Sequence, residues 1–240
     1  MKRYDDILEL LKVSDSNLDV VGLAYETARH DEEQLSAARP VIKTILGDLR
    51  SVLDYAAMSI FQSYSKKSGS PCFPYGEDEK AFVKAVNKNL NGLEQQLPEV
   101  YALVESIQPY ACGDAWLMDL CSITNVTKHR HLGIQRRINS PYGSVSVGNI
   151  FRVSGNSKIS FRDLVVDGID VTQGKTLVVS DSMSKREVSE MFGGIASVSK
   201  SHDWVRFELE DFSGDVLPSL RKAKEKIEGF LDKLGQLVEL

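Results

Sequence analysis

"RPVIKTILGDLRSVLDYAAMSIFQSY" fills residues 39–64 and places apolar side chains at steps of three and four residues. Pro40 stands near the start, where the first turn of a helix accepts proline. This spacing predicts one long helix whose apolar stripe faces a core. The stripe consists of Ile42, Ile45, Leu46, Leu49, Val52, Leu53, Ala56, Ile60 and Phe61.

Weaker helical patterns precede this helix. A short amphipathic piece covers residues 5–12, and a second stripe covers residues 20–38, with Asp15 or Asn17 as candidate N-terminal caps and Pro40 forcing the break. A loop rich in glycine, proline and serine follows the long helix at residues 65–79. Further helical patterns occupy residues 82–93, 97–107, 114–130 and 216–237.

The apolar pattern changes to period two after Pro141, which indicates β-strands joined by short turns. Such brief links favour an antiparallel meander. We therefore predict an α+β protein: a helical bundle at 1–140, a small antiparallel sheet at 141–210, and a C-terminal helix at 211–240 that packs back on the bundle. The predicted strands are Val145–Val147, Ile150–Val153, Ile159–Phe161, Leu164–Val166, Ile169–Val171, Leu177–Val179, Ile195–Val198 and Trp204–Leu209.

Composition narrows the class of protein. The chain has 240 residues, 42% of them hydrophobic, and a net charge of −5. No apolar run approaches the roughly 18–20 residues of a membrane span, so we expect a cytoplasmic protein without membrane contact. The three cysteines form no CxxC pair, which argues against a disulfide framework or a zinc ribbon.

The common enzyme signatures for nucleotide, dinucleotide, metalloprotease and serine-hydrolase chemistry are absent from the sequence. We expect neither a cofactor nor a metal ion. The run from His30 to Glu33 resembles a metal cluster only if spacing is ignored, and we assign it to a solvated helix face.

An otherwise acidic chain contains one basic stretch. Between Asp119 and Asp163 there is no acidic residue, while lysine and arginine recur. This asymmetry suits a nucleic-acid contact, although a solvated surface with chance spacing gives the same pattern. The cations of the stretch are Lys128, Arg130, Arg136, Arg137, Arg152, Lys158 and Arg162.

Two constellations could carry chemistry. Arg50 and Asp54 are four residues apart on the long helix and can form an ion pair, which favours a structural clasp over a functional role. Asn125, Lys128 and His129 share one face near the end of a later helix. Cations there can simply stabilise the helix dipole, by roughly 0.3–1 kcal/mol each.

The second constellation also has a catalytic interpretation. An imidazole such as that of His129 exchanges a proton near neutral pH, and neighbouring cations can hold a phosphodiester. Metal-independent cleavage of RNA needs little more than these groups. Zinc binding is disfavoured, because His129 and His131 lie two residues apart and point to different sides of a helix.

Four segments resemble a group of bacterial and phage proteins with a helical bundle of the HEPN type. They are "LRSVLDYAAMSIF", "CFPYGEDEKAF", "IQPY" and "WLMDLCSITNVTKHRHL", within residues 45–132. HEPN ribonucleases pair an arginine, often followed by a polar residue, with a histidine four to six positions later. Asn125 and His129 match the last two, whereas Thr124 stands in place of the arginine. Arg130, Arg50 or a basic side chain from the strand region could substitute.

The resemblance implies RNA binding or metal-independent RNA cleavage, a toxin or phage-defence setting, and a homodimer formed through the bundle. His129 would be the acid or base and Asn125 would orient it. The alternative is a noncatalytic interaction or scaffold protein. In that case the sheet binds a protein partner, and the bundle is held together by Arg50, Asp54, Lys128 and His129. The expected nucleic-acid contacts are Lys128, Arg130, His131, Arg136 and Arg137.

Overall fold

The computed structural model describes residues 2–129, 134–210 and 212–238, without the side chains of Lys2, Thr127, Lys128, His129 and Ser213. The chain forms two compact units. Unit 1 comprises residues 1–22, 38–134 and 209–240, and unit 2 comprises residues 23–37 and 135–208.

Helices dominate the described part of the chain, which confirms the predicted α+β class with a helical N-terminal region. None of these helices is both long and apolar enough to cross a membrane. The helices are α1 Lys2–His30, α2 Arg39–Tyr64, α3 Glu79–Asn89, α4 Leu93–Gln96, α5 Pro98–Ser106, α6 Pro109–Cys112, α7 Trp116–His129, α8 Lys185–Met191 and α9 Val216–Leu234.

The strands follow α7 and are short. Those up to residue 208 belong to unit 2, and the last strand of the described residues leads into α9. They are β1 Gln135–Asn139, β2 Gly143–Val147, β3 Phe151–Ser154, β4 Lys158–Phe161, β5 Val165–Val166, β6 Ile169–Asp170, β7 Leu177–Ser180, β8 Val198–His202, β9 Val205–Leu209 and β10 Phe212–Asp215.

Unit 1 is built around α2. Its predicted stripe is buried except for the half-buried Phe61, and Ile45, Leu49 and Leu53 are fully excluded from solvent. The helix packs on α7 and on α9, and α9 also packs on α5. The C-terminal helix therefore returns to the bundle, as its strongly amphipathic sequence predicts.

The N-terminal region differs from the prediction. Asp15 and Asn17 cap no helix, because α1 runs without a break from Lys2 to His30. Polar residues of low helical propensity occupy its middle, but Leu11, Leu18 and Val21 on the same helix are buried. Burial of this stripe outweighs local propensity, which is a weak preference by comparison.

Unit 2 contains antiparallel strands around a small apolar core. The strand β2 lies between β3 and β8, with Val145 opposite both Val153 and Lys200. The strand β4 pairs with β7, and β5 with β6. The core consists of Val145, Val147, Val153, Val171, Val179, Val188 and Phe192.

Two elements of unit 2 escaped the sequence prediction. The strand β1 has the polar sequence QRRIN, and α8 begins with a capping box in which Ser184 and Glu187 bond each other's backbone. The predicted strand from Ile195 begins only at Val198. Residues 23–37 belong to unit 2, and the chain enters unit 2 again after residue 134.

Candidate functional site

The predicted ion pair on α2 is present. An Arg50 Nη2 to Asp54 Oδ1 distance of 3.1 Å joins side chains one helical turn apart. The pair borders the buried apolar stripe, and the Arg50 side chain is only 16% exposed. A cation in this position needs partners for its remaining donors, since desolvation of an unpaired charge is costly.

Three further groups surround the Arg50 guanidinium. Its Nη1 donates to Cys121 Sγ on α7 at 2.7 Å, and Nη2 donates to the main-chain oxygen of Phe73 at 3.3 Å. Its central carbon lies 5.1 Å from the centroid of the Tyr75 ring, within the range of a cation–π contact. Asp54 in turn accepts a hydrogen bond from the Phe73 backbone at 2.7 Å. We call Arg50, Asp54, Phe73, Tyr75 and Cys121 the arginine cluster.

The electrostatics of the arginine cluster keep Arg50 charged and Cys121 neutral. Burial acts to lower the pKa of Arg50, but Cys121, Asp54 and Tyr75 together raise it. Burial raises the pKa of Cys121 to about 11, and the nearby guanidinium only partly opposes this. Because the thiolate is the reactive form of cysteine, Cys121 is a structural thiol at neutral pH.

Asn125 joins the arginine cluster through Tyr75. Its Nδ2 donates to the Tyr75 hydroxyl oxygen at 3.4 Å, and the Asn125 residue is exposed on α7. The two constellations singled out in the sequence therefore meet at one place in unit 1. The Arg50 guanidinium lies against the face of the tyrosine ring, and Asn125 contacts its hydroxyl.

The remaining predicted groups of this constellation follow Asn125 in sequence. Lys128 and His129 belong to the last turn of α7 by their backbone, three and four residues after Asn125. Their side chains lie outside the described part of the chain, as do residues Arg130 and His131 altogether. The helical spacing alone places Asn125 and His129 on one face.

Thr124 occupies the position at which the HEPN pattern has an arginine. Its hydroxyl donates to the Leu120 oxygen at 2.6 Å and to the Leu46 oxygen of α2 at 3.4 Å. The residue is buried against α2. An arginine at this position would have to displace part of the packing between the two helices.

Arg136 and Arg137, both predicted to contact nucleic acid, lie on β1 in unit 2. The Arg136 side chain is 75% exposed and pairs with Glu208. Arg137 donates to the main-chain oxygens of Ala28, Asp31 and Gln34, and also to Asn139. These carbonyls lie at and just beyond the end of α1, so Arg137 caps that helix. Burial lowers the pKa of Arg137, and two acidic neighbours oppose the shift.

Unit 2 contains a buried polar group that sequence reasoning missed. Lys200 and His202 of β8 are buried, and the Lys200 ammonium donates to the main-chain oxygen of Asp181. His202 Nε2 lies 3.4 Å from Glu32 Oε1. Among the described residues, no well-aligned hydrogen bond reaches either ring nitrogen of His202, although the backbone of Ser140 faces the ring. We call Glu32, Asp181, Lys200 and His202 the histidine cluster.

The signal for the histidine cluster was the alternation Val198, Lys200, His202, which places two basic side chains on the inner face of a strand. Burial lowers the pKa of His202, and Lys200 adds to the effect while Glu32 opposes it. Burial likewise lowers the pKa of Lys200. Glu32 had been assigned to a solvated face, and its contact with His202 corrects that assignment.

Nothing in the described ranges groups three or more histidine, cysteine or acidic side chains as metal ligands would be. Comparisons with protein-family models, with curated proteins and with solved structures found no match for this chain. The function must therefore be argued from the chemistry of its residues.

Proposed function

We propose that this protein binds RNA with the end of α7 and the basic residues that follow it, and that His129 cleaves the bound strand without a metal ion. The observation that carries the proposal is the hydrogen bond from Asn125 to Tyr75. It ties the polar residue of the HEPN-like pattern to Tyr75, whose ring contacts Arg50 of α2, one turn before His129. A proton-transfer group needs such a fixed neighbour to be held in position.

The charge pattern supports an anionic partner. Residues 120–162 contain no carboxylate, and Lys128 and Arg130 flank His129 in sequence. Cations at the C-terminal end of a helix are stabilised by its dipole, and they provide the contacts with which proteins hold phosphates. The proposal assigns phosphate binding to Lys128 and Arg130, with His131 and the exposed Arg136 as further contacts.

Arg50 and Arg137 take other roles in this proposal. The guanidinium of Arg50 is engaged by Asp54, Cys121 and Phe73, so it supports Tyr75 and is not a phosphate ligand. Arg137 is engaged at the end of α1. The cation that would replace the missing arginine of the HEPN pattern is therefore Arg130.

The reaction proposed for His129 is an internal transfer. Its imidazole takes the proton of a ribose 2′-hydroxyl, and the oxygen attacks the adjacent phosphorus. The bond from phosphorus to the 5′-oxygen breaks, the leaving oxygen takes a proton from the medium, and a 2′,3′-cyclic phosphate remains. Every atom comes from the RNA strand and water, so no metal or cofactor is required.

Cleavage of a labelled single-stranded RNA in the presence of EDTA tests this reaction. The wild-type protein should cut the RNA, and His129→Ala should slow cleavage by about 10²- to 10⁴-fold, the usual contribution of a general base. The matched control is His30→Ala, because His30 is an exposed histidine of unit 2. Equal, negligible cleavage by wild type and His129→Ala would remove the catalytic part of the proposal.

Salt dependence tests binding separately. A double variant Lys128→Ala/Arg130→Ala should lower the slope of log affinity against log salt by about 1.4, since each phosphate contact on a single strand contributes about 0.7. Lys66→Ala/Lys67→Ala removes the same charge from exposed positions outside the basic stretch and should leave the slope unchanged. A slope of zero for the wild-type protein would contradict RNA binding.

A noncatalytic interaction protein is the second candidate. It is favoured by Arg50, whose terminal nitrogens are engaged within unit 1 by Asp54, Cys121 and Phe73. In that case His129 knits the bundle, and His129→Ala should lower the free energy of unfolding by about 1 kcal/mol or more. RNA cleavage requires a His129 imidazole that can reach the RNA strand, so under the first proposal His129→Ala should cause no such loss. Urea unfolding of the two proteins therefore separates the candidates.

We further propose that the partner of unit 1 is a second copy of the chain. Tyr4 and Leu8 on α1 are more than a third exposed and line a groove with the end of α9. Leu8→Glu should dissociate the dimer in sedimentation measurements, whereas Leu23→Glu, an exposed leucine on the part of α1 in unit 2, should not. A wild-type protein that sediments as a monomer would rule this out.

A further inference from the structure

A small cavity lies within unit 1, between α2, α7 and α9. Its volume is about 70 Å³. The side chains that line it are mainly apolar, and two of them are aromatic. The principal apolar lining residues are Ile42, Leu46, Trp116, Leu120, Phe212 and Val216.

Three polar side chains complete the lining: Asp119 on α7, and Ser219 and Lys222 on α9. The ammonium of Lys222 is already paired with Asp114, at 2.8 Å from each carboxylate oxygen. Across the described ranges, no hydrogen bond or ion pair engages the carboxylate of Asp119 or the hydroxyl of Ser219. The cavity therefore offers two acceptors and no unengaged cation.

The environment of Asp119 favours a positively charged occupant. Burial raises the pKa of this carboxyl group, nearby Asp114 adds to the shift, and Lys222 opposes it. A cation brought to the carboxylate would recover the stabilisation that desolvation has removed. The indole of Trp116 and the ring of Phe212 add surfaces that attract a cation.

We propose that this cavity binds a small primary ammonium ion with a short alkyl chain, its ammonium between Asp119 and Ser219 and its alkyl group against Trp116 and Leu120. A water-sized group needs roughly 15 Å³ of such space, so the cavity holds about four or five non-hydrogen atoms. This assignment is independent of RNA binding, because it uses none of the residues assigned to that function.

Other ligand classes fit the lining less well. A carboxylate ligand would meet Asp119 without a free cation, since Lys222 is bonded to Asp114. A neutral alcohol of the same size would leave Asp119 without a charged partner. Isobutylamine, isobutanol and isobutyrate share one branched carbon skeleton and compare these three cases directly.

The experiment titrates the full-length protein with each of the three probes. Trp116 and Trp204 are the two tryptophans, and the exposed Trp204 lies in unit 2, so a Trp204→Phe background confines the fluorescence signal to the cavity. Isobutylamine should bind at least about tenfold more tightly than isobutanol, as a charge-assisted hydrogen bond provides. Isobutyrate should not bind.

Variants locate the interaction. Asp119→Asn keeps the shape of the side chain and should weaken isobutylamine binding by about tenfold or more, with isobutanol unchanged. Ser219→Ala should weaken the amine by about threefold. Asp5→Asn makes the same charge change at an exposed position of α1 and is the control. Circular dichroism verifies that each variant is folded.

Three results would overturn the proposal: equal affinity of the protein for isobutylamine and isobutanol, an Asp119→Asn variant that binds the amine as well as wild type does, or no binding of any probe. A twofold or smaller loss in Asp5→Asn is required for the comparison to hold.

Discussion

The arginine cluster of unit 1 and the histidine cluster of unit 2 solve the same problem in different ways. Each contains a cation withdrawn from water. Arg50 is paired with Asp54 and has acceptors for both terminal nitrogens, and the net shift of its pKa is upward. Lys200 donates to a main-chain oxygen, and His202 Nε2 lies 3.4 Å from Glu32. The pKa values of both Lys200 and His202 are lowered.

The comparison shows that burial alone does not fix the consequence of an internal charge. A guanidinium with a carboxylate partner and further acceptors stabilises the fold while remaining charged. In an ammonium or imidazole with weaker partners, burial destabilises the charged form, and loss of the proton removes that cost. The first arrangement is insensitive to pH near neutrality, whereas the second is not.

The largest effect should come from breaking the arginine cluster. Arg50→Met leaves Asp54 beside an apolar stripe and removes the bonds to Cys121 and Phe73, and should lower the free energy of unfolding by about 2–4 kcal/mol. Urea unfolding measures this value. Lys43→Met on the exposed side of α2 is the control, with a change of about 0.5 kcal/mol or less. A similar small change for Arg50→Met would show that the cluster contributes nothing.

The same substitution in the histidine cluster should behave differently. Lys200→Met removes a charge whose pKa burial already lowers, and the free energy of unfolding should stay within about 1 kcal/mol of wild type or rise. The same urea experiment applies. A loss as large as that of Arg50→Met would erase the distinction between the two clusters.

A smaller, pH-dependent effect should distinguish His202. Its pKa is lowered in the folded state, so the unfolded chain takes up the proton first as the pH falls below about 6.5. Stability is therefore fully present above about 6.5 and decreases as the pH falls towards the folded-state value. The groups that face the ring are Lys200, Glu32, Arg137 and the backbone of Ser140.

Urea unfolding at pH 7.5 and at pH 5.5, in wild type and in His202→Gln, measures this dependence. The difference in stability between the two pH values should be smaller in the variant, because glutamine does not titrate. His30→Gln, an exposed histidine, should retain the wild-type difference. Identical pH dependence in all three proteins would contradict the role given to His202.

The smallest effect should be that of Tyr75→Phe. This change removes the hydroxyl that accepts from Asn125 but keeps the ring near Arg50. Because Asn125 is exposed, water replaces the lost partner, and the free energy of unfolding should fall by about 0.5 kcal/mol or less. A loss above about 1.5 kcal/mol would mean that Asn125 is part of the structural core of the arginine cluster.

Local patterns in the sequence predicted a large part of this fold. The stripe of α2 and the amphipathic α9 predicted the bundle, and the spacing of Arg50 and Asp54 predicted their ion pair, because each depends on residues three or four apart. The strand β1 was missed because only one residue of QRRIN is strongly apolar. Its position depends on pairing with β9, about 70 residues later.

Long-range contacts limited the prediction of the candidate site. No local rule connects Arg50 with Phe73 or Cys121, which lie 23 and 71 residues away. Glu32 and His202 are likewise distant in sequence. The capping box of α8 depends on residues only three positions apart, so it could have been predicted from the sequence. It was missed because this region was interpreted as strands.

The connection between α2 and α3 consists of an exposed first part and an anchored second part that begins at Phe73. Residues 73–78 are anchored, because the backbone N–H of Phe73 donates to Asp54 and that of Gly76 donates to the Gln108 side chain. The backbone is also tightly packed there, since a Cβ added at Gly76 would lie 2.3 Å from the Phe82 backbone nitrogen. Residues 66–70, by contrast, are exposed. An epitope tag or a fluorescent reporter inserted after Lys67 should be accommodated without loss of folding, whereas the same insertion after Tyr75 should prevent it.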